Sequence, residues 1–296
     1  MLRNEDCGVV TSTDRSWYTS NPEALSAELD EWLDDVPTAV DGHRLPIPGA
    51  RAIIAPHAGY RYSGPCAAWA YKSLDLSKAK RVFLLGPSHT YYLRGCALTT
   101  FEKYATPFGD FQVDADVVGE LRATGKFKDI PRQNDVREHS LEMHLPYIWK
   151  SLERKAVDGA SAWPTLVPIM VGDGDAAAER DYGTLLMPYL EDPTTVFVRL
   201  AAETRRALDQ AAFRAIETGS HDEFVQYLHL TENTICGRHP IGVTMAALEL
   251  LAAKAKTGNT GTRSQHTFVF VRYERSELAQ TTADSSVSYG SAYATI

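Results

Sequence analysis

Two histidines stand at matching points of the chain. "RAIIAPHAGY" (51–60) and "RVFLLGPSHT" (81–90) each run through apolar residues, meet a proline and then present an imidazole, His57 and His89. Neutral imidazoles are common metal ligands, and a third ligand would complete a catalytic-type site with an open position. A lone histidine at a strand end is also an ordinary hydrogen-bonding residue. "NTICGRHPIG" (233–242) offers a thiol, Cys236, with Arg238 and His239 beside it and Pro240 placed to begin a helix. A thiolate near a helix N-terminus and an arginine has a lowered pKa, which suits a metal ligand or a nucleophile. The same thiol also reads as a small buried hydrophobe in a tight turn. "REHSLEMHLPY" (137–147) adds Glu138, His139, Glu142 and His144. On a helix over 138–153, Glu138 and Glu142 share a face and His139 touches Glu142. The spacing is not HExxH. It suits general acid–base work or groups that orient metal ligands; a solvated, salt-bridged helix face is the plainer alternative.

The elements that must position these groups follow from periodicity. Residues 22–35 read as an amphipathic helix, with Pro22 in its first turn and Leu25, Leu29, Trp32 and Leu33 at helical spacing. "VPTAVDGHRLPIPG" reads as a loop. "ARAIIA" and "RVFLL" are continuous apolar runs, as expected of strands covered on both faces, with the helix "CAAWAYKSL" between them. Strand, helix, strand over about 35 residues is the size of a βαβ unit. Its strands would be parallel, and both histidines would fall at carboxyl ends, where open α/β sheets bind ligands. Further strands are expected at "CALTTF", "PTLVPIMVG", "TTVFVRL", "HTFVFVRY" and "SSVSYGSAYATI", and further helices at 114–124, 201–217, 222–230 and 241–256. The glycine–threonine stretch 257–264 reads as a flexible loop. The alternation predicts one α/β domain over 1–296, a mixed, largely parallel central sheet flanked by helices, with some antiparallel strands at its polar, alternating end.

Composition narrows the function. Acidic residues outnumber basic ones, 38 to 30, for a net charge of −8. A nucleic-acid backbone is therefore an unlikely partner, since phosphate binding needs a basic face. No apolar run has the length of a membrane span. The polar start "MLRNEDCGVV" is unlike a secretory signal, and the four cysteines lack CxxC spacing. Reduced thiols in the cytoplasm are the expectation, with the nucleus as a second compartment. No GxxxxGK[ST], GxGxxG or GxSxG pattern gives a nucleotide or hydrolase reading a foothold.

Six runs together resemble the Memo family (mediator of cell motility): "SWYT" (16–19), "ARAIIAPHAGYRYSG" (50–64), "LLGPSH" (84–89), "EHSLEMHLPY" (138–147), "NTICGRHPIG" (233–242) and "DSSVSY" (284–289). They occur in family order across nearly the whole chain. The resemblance implies a fold similar to class III extradiol dioxygenases. It implies that His57, His89 and Cys236 bind a metal, copper or iron. It also implies a role in redox signalling, with phosphotyrosine peptides or signalling proteins as partners at the same cleft and Trp17 as a rim aromatic. Glu138, His139, Glu142, His144, Arg238 and His239 are then expected around the metal or along the cleft.

The chain departs from the family pattern after Val198. The family continues with Ser-Asp-Phe-Cys-His-Trp-Gly and an aromatic-rich loop; here "RLAAETRRALDQ" follows, and the pattern resumes near Leu208. The connection is shorter by roughly twenty residues, far beyond ordinary loop variation. The Asp and His that the family places beside the metal have no counterpart, and Glu203 is the only carboxylate in 199–206. Two other functions compete with the metal-binding one. A non-haem iron dioxygenase uses two His and one carboxylate, against which Cys236 argues. A metal-free peptide-binding scaffold would use only the cleft near Trp17.

Overall fold

Asn21 starts the first helix by accepting the N–H of Ala24, and Pro22 fixes the first turn of α1 (Pro22–Asp35). Leu25, Leu29 and Leu33 then fall on one buried stripe. Each such leucine stabilises the fold by roughly 1.5–3 kcal/mol. The computed structural model describes residues 17–155, 163–200, 206–257, 266–276 and 287–296. After α1 come β1 (Ala39–Val40), β2 (His43–Arg44), β3 (Ala50–Ala55), α2 (Tyr60–Ser73), β4 (Arg81–Pro87), β5 (Cys96–Leu98), β6 (Lys103–Ala105) and β7 (Asp110–Gln112). Then follow α3 (Ala115–Ala123), β8 (Lys128–Asp129), α4 (Arg132–Arg137), α5 (His139–Glu142), α6 (Leu145–Lys155), β9 (Thr165–Val171), α7 (Ala176–Glu191) and β10 (Thr195–Leu200). The last described elements are α8 (Arg206–Glu217), α9 (His221–Thr231), α10 (Arg238–Thr257), β11 (Phe268–Arg275) and β12 (Ser288–Thr295).

Eight strands form one sheet in the order β11-β12-β3-β10-β4-β9-β5-β8. The inner four, β3, β10, β4 and β9, are parallel. The sheet turns antiparallel where β12 meets β3, where β11 meets β12 and where β5 meets β9. This is the expected mixed, largely parallel α/β arrangement. All six residues of β3 are buried, as its unbroken apolar run requires between two neighbours and two helical layers. Buried Arg51 in β3 donates from Nη1 to the carbonyls of Leu190, Asp192 and Thr195, which ties the strand to the α7–β10 connection. Helices α7 and α10 pack backbone to backbone at Gly183, where any Cβ would lie 2.8 Å from the Ala246 Cβ and 2.9 Å from the Ala247 nitrogen.

Several boundaries differ from the expectations. β3, α2 and β4 form the expected unit with parallel strands, but β10 lies between the two strands, with Val198 opposite both Ile53 and Leu84. The 138–153 stretch is two helices, and Glu138 is the extended residue that caps the first, so Glu138 and Glu142 do not share a helix face. Helix α2 begins at Tyr60, ahead of Gly64-Pro65. The 36–49 loop contains the small β1–β2 hairpin. Helix α10 begins at Arg238 rather than at 241, with Pro240 inside its first turn. Helix α7, α4 and the β6–β7 hairpin were not expected. Residues 201–205, including Glu203, and most of the 257–264 loop lie outside the described residues. No described helix is long and apolar enough to cross a membrane.

Candidate metal centre

Three chain segments meet at the carboxyl end of the parallel strands. Pro56 ends β3 and releases His57 just before α2, while β4 ends at Pro87 and releases His89 two residues on. Cys236 precedes Gly237, whose φ of +86° makes the turn that starts α10. The Gly237 carbonyl accepts the Ile241 N–H, so Cys236 stands one residue before the helix cap. Cys236 Sγ lies 3.1 Å from His89 Nε2 and 3.4 Å from His57 Nε2. The three donor atoms fall within 4.8 Å of one another. Bonds of about 2.0–2.1 Å to nitrogen and 2.3 Å to sulfur, meeting near the tetrahedral angle, place ligand atoms about 3.5 Å apart. The residues therefore fit a single ion, and two imidazoles with a thiol suit a soft or borderline one.

Glu138 sets the angle of His89. Its carboxylate is fully buried; Oε2 accepts the His89 backbone N–H at 2.6 Å, and Oε1 accepts the Nδ1–H of the ring at 2.9 Å and the Ser140 N–H at 2.9 Å. The His89 tautomer is thereby fixed with Nε2 toward Cys236. The Ser140 hydroxyl donates to the Pro87 carbonyl at 2.8 Å, which docks α5 on the end of β4. Burial opposes charge on Glu138, yet the bonds from His89 and Ser140 hold its carboxyl below the usual range. Burial likewise pulls His89 down, but its bonds to Cys236 and Glu138 lift it to about 10. The donors of His89, Glu138 and His139 also fall within 4.8 Å. That group is less suited to an ion, because Glu138 is already occupied by His89 and Ser140.

His139 is a wall of the cleft. Its ring stacks on Trp17 at 4.2 Å with an 11° interplanar angle and on His89 at 4.5 Å, and burial lowers its pKa to about 4. Trp17 is pinned in turn, because its carbonyl accepts the Tyr60 N–H at 2.8 Å. Glu142 accepts the Tyr18 hydroxyl at 2.6 Å. His144 is wholly buried beneath the site, with Nδ1 bonded to the Tyr71 hydroxyl, and burial pushes it to about 3. His57 is pushed well down by burial and then by the charges of His89, His144 and His139. His57 Nδ1 and His144 Nε2 are both buried without a protein partner.

A cavity of about 440 Å³ opens beside the triad, lined by His89, Cys236, Arg238, His239, Tyr91 and Asp173 among others. This size is within the range of small-ligand pockets. His239 lines the cavity but turns its Nδ1 away to Glu179 on α7. Glu179, Asp173, Tyr18 and Tyr71 are parts of the surroundings that the sequence reading passed over. A signal for Glu179 existed in "DAAAE", an Asp cap followed by an alanine run.

A largely parallel α/β sheet that delivers two imidazoles and a thiol to one point defines a candidate metal-binding α/β protein. The chain belongs to the Memo family: the family described as Memo-like protein matches residues 12–293. Protein MEMO1 of Xenopus tropicalis is 41% identical over 295 residues, covering 93% of each chain. Protein MEMO1 of Homo sapiens is 38% identical over 302 residues, covering 95% of each. The memo-1 homolog of Caenorhabditis elegans is 38% identical, over 93% of this chain and 79% of its own. A crystal structure of an uncharacterized Escherichia coli K12 protein superposes with a TM-score of 0.49 at 11% identity, covering 81% of this chain and 98% of that one.

Proposed function

We propose that this chain is a Memo-family metal-binding protein with a redox or signalling role, working in the cytoplasm and the nucleus. It holds a copper or iron ion between His57 Nε2, His89 Nε2 and Cys236 Sγ. The observation that carries this reading is the 3.1 Å and 3.4 Å approach of the thiol to the two imidazoles, with Glu138 bonded to the far nitrogen of His89. Metal-binding histidines characteristically donate their other N–H to a carboxylate. The thiolate favours copper or iron over harder ions. The cleft takes a phosphotyrosine peptide or a signalling protein at the rim, where Trp17 lies flat on His139.

Metal analysis of the full chain, purified without affinity-tag metals, tests the first part. One equivalent of copper or iron is expected at the triad, lost in Cys236→Ser; a metal content unchanged in Cys236→Ser, or none in the parent, refutes it. The second part is read by anisotropy with a phosphotyrosine peptide and its unphosphorylated copy. Trp17→Ala is expected to abolish the preference for the phosphorylated form. Oxygen uptake with a catechol would instead favour the dioxygenase alternative.

A further inference from the structure

A second cluster lies across the cavity from the triad and shares no residue with it. Arg180 on α7 places Nη1 2.9 Å from His221 Nδ1 and Nη2 2.6 Å from Asp222 Oδ1. His221 Nε2 lies 2.6 Å from Glu179 Oε2, and His239 Nδ1 lies 2.7 Å from Glu179 Oε1. His221 is wholly buried and Glu179 nearly so. Gly242 leaves the room that Glu179 fills, since a Cβ there would lie 2.2 Å from Oε2.

These bonds set which ring nitrogens donate and which accept. A guanidinium only donates, so His221 Nδ1 accepts. His221 then carries its proton on Nε2 and donates to Glu179. Burial opposes the Glu179 charge, but both histidines hold its carboxyl below the usual range, so it accepts from His239 as well. His239 therefore donates from Nδ1, which turns Nε2 toward Asp173. That nitrogen is buried and makes no hydrogen bond; it lies 3.3 Å from Asp173 Oδ1, which is too poorly aligned to bond it. The ring nitrogen and the carboxylate oxygen thus stand together on the cavity wall with no hydrogen bond between them.

We propose that His239 Nε2 and Asp173 Oδ1 form a second cation site, specific for a divalent first-row metal. Two bonds of about 2.0–2.1 Å meeting near the tetrahedral angle hold their ligand atoms about 3.3–3.4 Å apart. The observed 3.3 Å separation is that distance. Glu179 stands to His239 as Glu138 stands to His89, a carboxylate on the far ring nitrogen that orients the ligand. Asp173 is more than half exposed, whereas the imidazole is held from behind by Glu179. With only two protein ligands, the remaining positions face the cavity and are open to water or to a ligand reaching from the triad. The site binds more weakly than the triad and lacks a thiolate.

Cobalt(II) titration of the metal-free full chain, followed by absorbance, tests this. Cobalt on a thiolate gives a near-ultraviolet charge-transfer band, and cobalt on nitrogen and oxygen alone does not. Two equivalents are expected, only one of them with the band. His239→Gln and Asp173→Asn each lose the equivalent without the band and keep the other; Cys236→Ser does the reverse. Glu179→Gln weakens the bandless equivalent about 10–100-fold. Asp173 is at the surface, so Asp173→Asn decides the matter if His239→Gln unfolds. No bandless equivalent in the parent, or one that survives Asp173→Asn, overturns the proposal. Loss of the band with the bandless equivalent intact counts against the triad alone.

Discussion

The Glu138 carboxylate takes both the backbone N–H and the ring Nδ1–H of His89, at 2.6 and 2.9 Å. One side chain thus fixes the position and the ring angle of His89 together. Glu138→Gln removes the charge and puts a donor against a donor on one side. It is expected to weaken metal binding about 10–100-fold, measured by competition with a chromophoric chelator. Unchanged affinity would reduce Glu138 to a helix cap.

Metal binding is expected to expel a proton. In the metal-free protein the bonds from Cys236 and Glu138 raise His89 to about 10, so it is charged at neutral pH. A metal-binding imidazole must be neutral. Affinity should rise with pH up to about 10, by tenfold per unit while one proton is displaced. Calorimetry in buffers of different ionisation enthalpy reads the proton count, and a count of zero at pH 7 contradicts this.

The same histidines shape the stability of the metal-free protein in opposite directions. His144, held at about 3 by burial, and the depressed His57 stay neutral in the fold while the unfolded chain takes up protons below about pH 6.5. Stability should fall as pH drops from about 6.5 toward 3, with a slope of about 1.4 kcal/mol per pH unit from His144. His89 is raised, so its contribution is whole below about 6.5 and is lost as pH climbs to about 10. Urea unfolding across this range should flatten on the acid side in His144→Gln and on the alkaline side in His89→Gln. Parallel curves for parent and variants would refute the assignment.

The connection that the family resemblance marks as short leaves from β10, which lies between the two strands that deliver His57 and His89. Restoring the family's Ser-Asp-Phe-Cys-His-Trp-Gly segment and its following loop after Val198 should therefore act on the triad directly. A gain of about 10–100-fold in metal affinity and a higher melting temperature are expected. Equal values in both proteins would mean that the three remaining ligands suffice.

The triad was legible because its chemistry coincides with its punctuation: a buried strand, a proline, then a histidine. The strands themselves were legible as unbroken apolar runs, which only interior strands need. What lay between them was not. That β10 inserts between β3 and β4 is a long-range pairing with no local signal. The split of 138–153 was hidden because Glu138, His139 and Glu142 fit a helical spacing, while the structure uses Glu138 as an extended cap bonded to His89. Helix α7 went unread because Gly183 and Pro188 look like breakers; Gly183 is there for close packing on α10. Without α7, the partner of His239 could not be named: it lines the cleft, as expected, but its Nδ1 bonds Glu179.

The position of β10 also decides when the site can exist during synthesis. β3 ends at Ala55 and β4 at Pro87, but the strand that joins them begins at Thr195, Cys236 follows later still, and β12, the other neighbour of β3, begins at Ser288. A nascent chain that has just exposed both histidines therefore carries two open apolar strand edges and lacks Cys236. Such non-local pairings form slowly, and open edges invite association with other chains. The thiol emerges long after both histidines, so the three groups cannot meet until β10 and the turn before α10 have been made, and protection of β3 and β4 until then falls to whatever chaperones meet the emerging polypeptide.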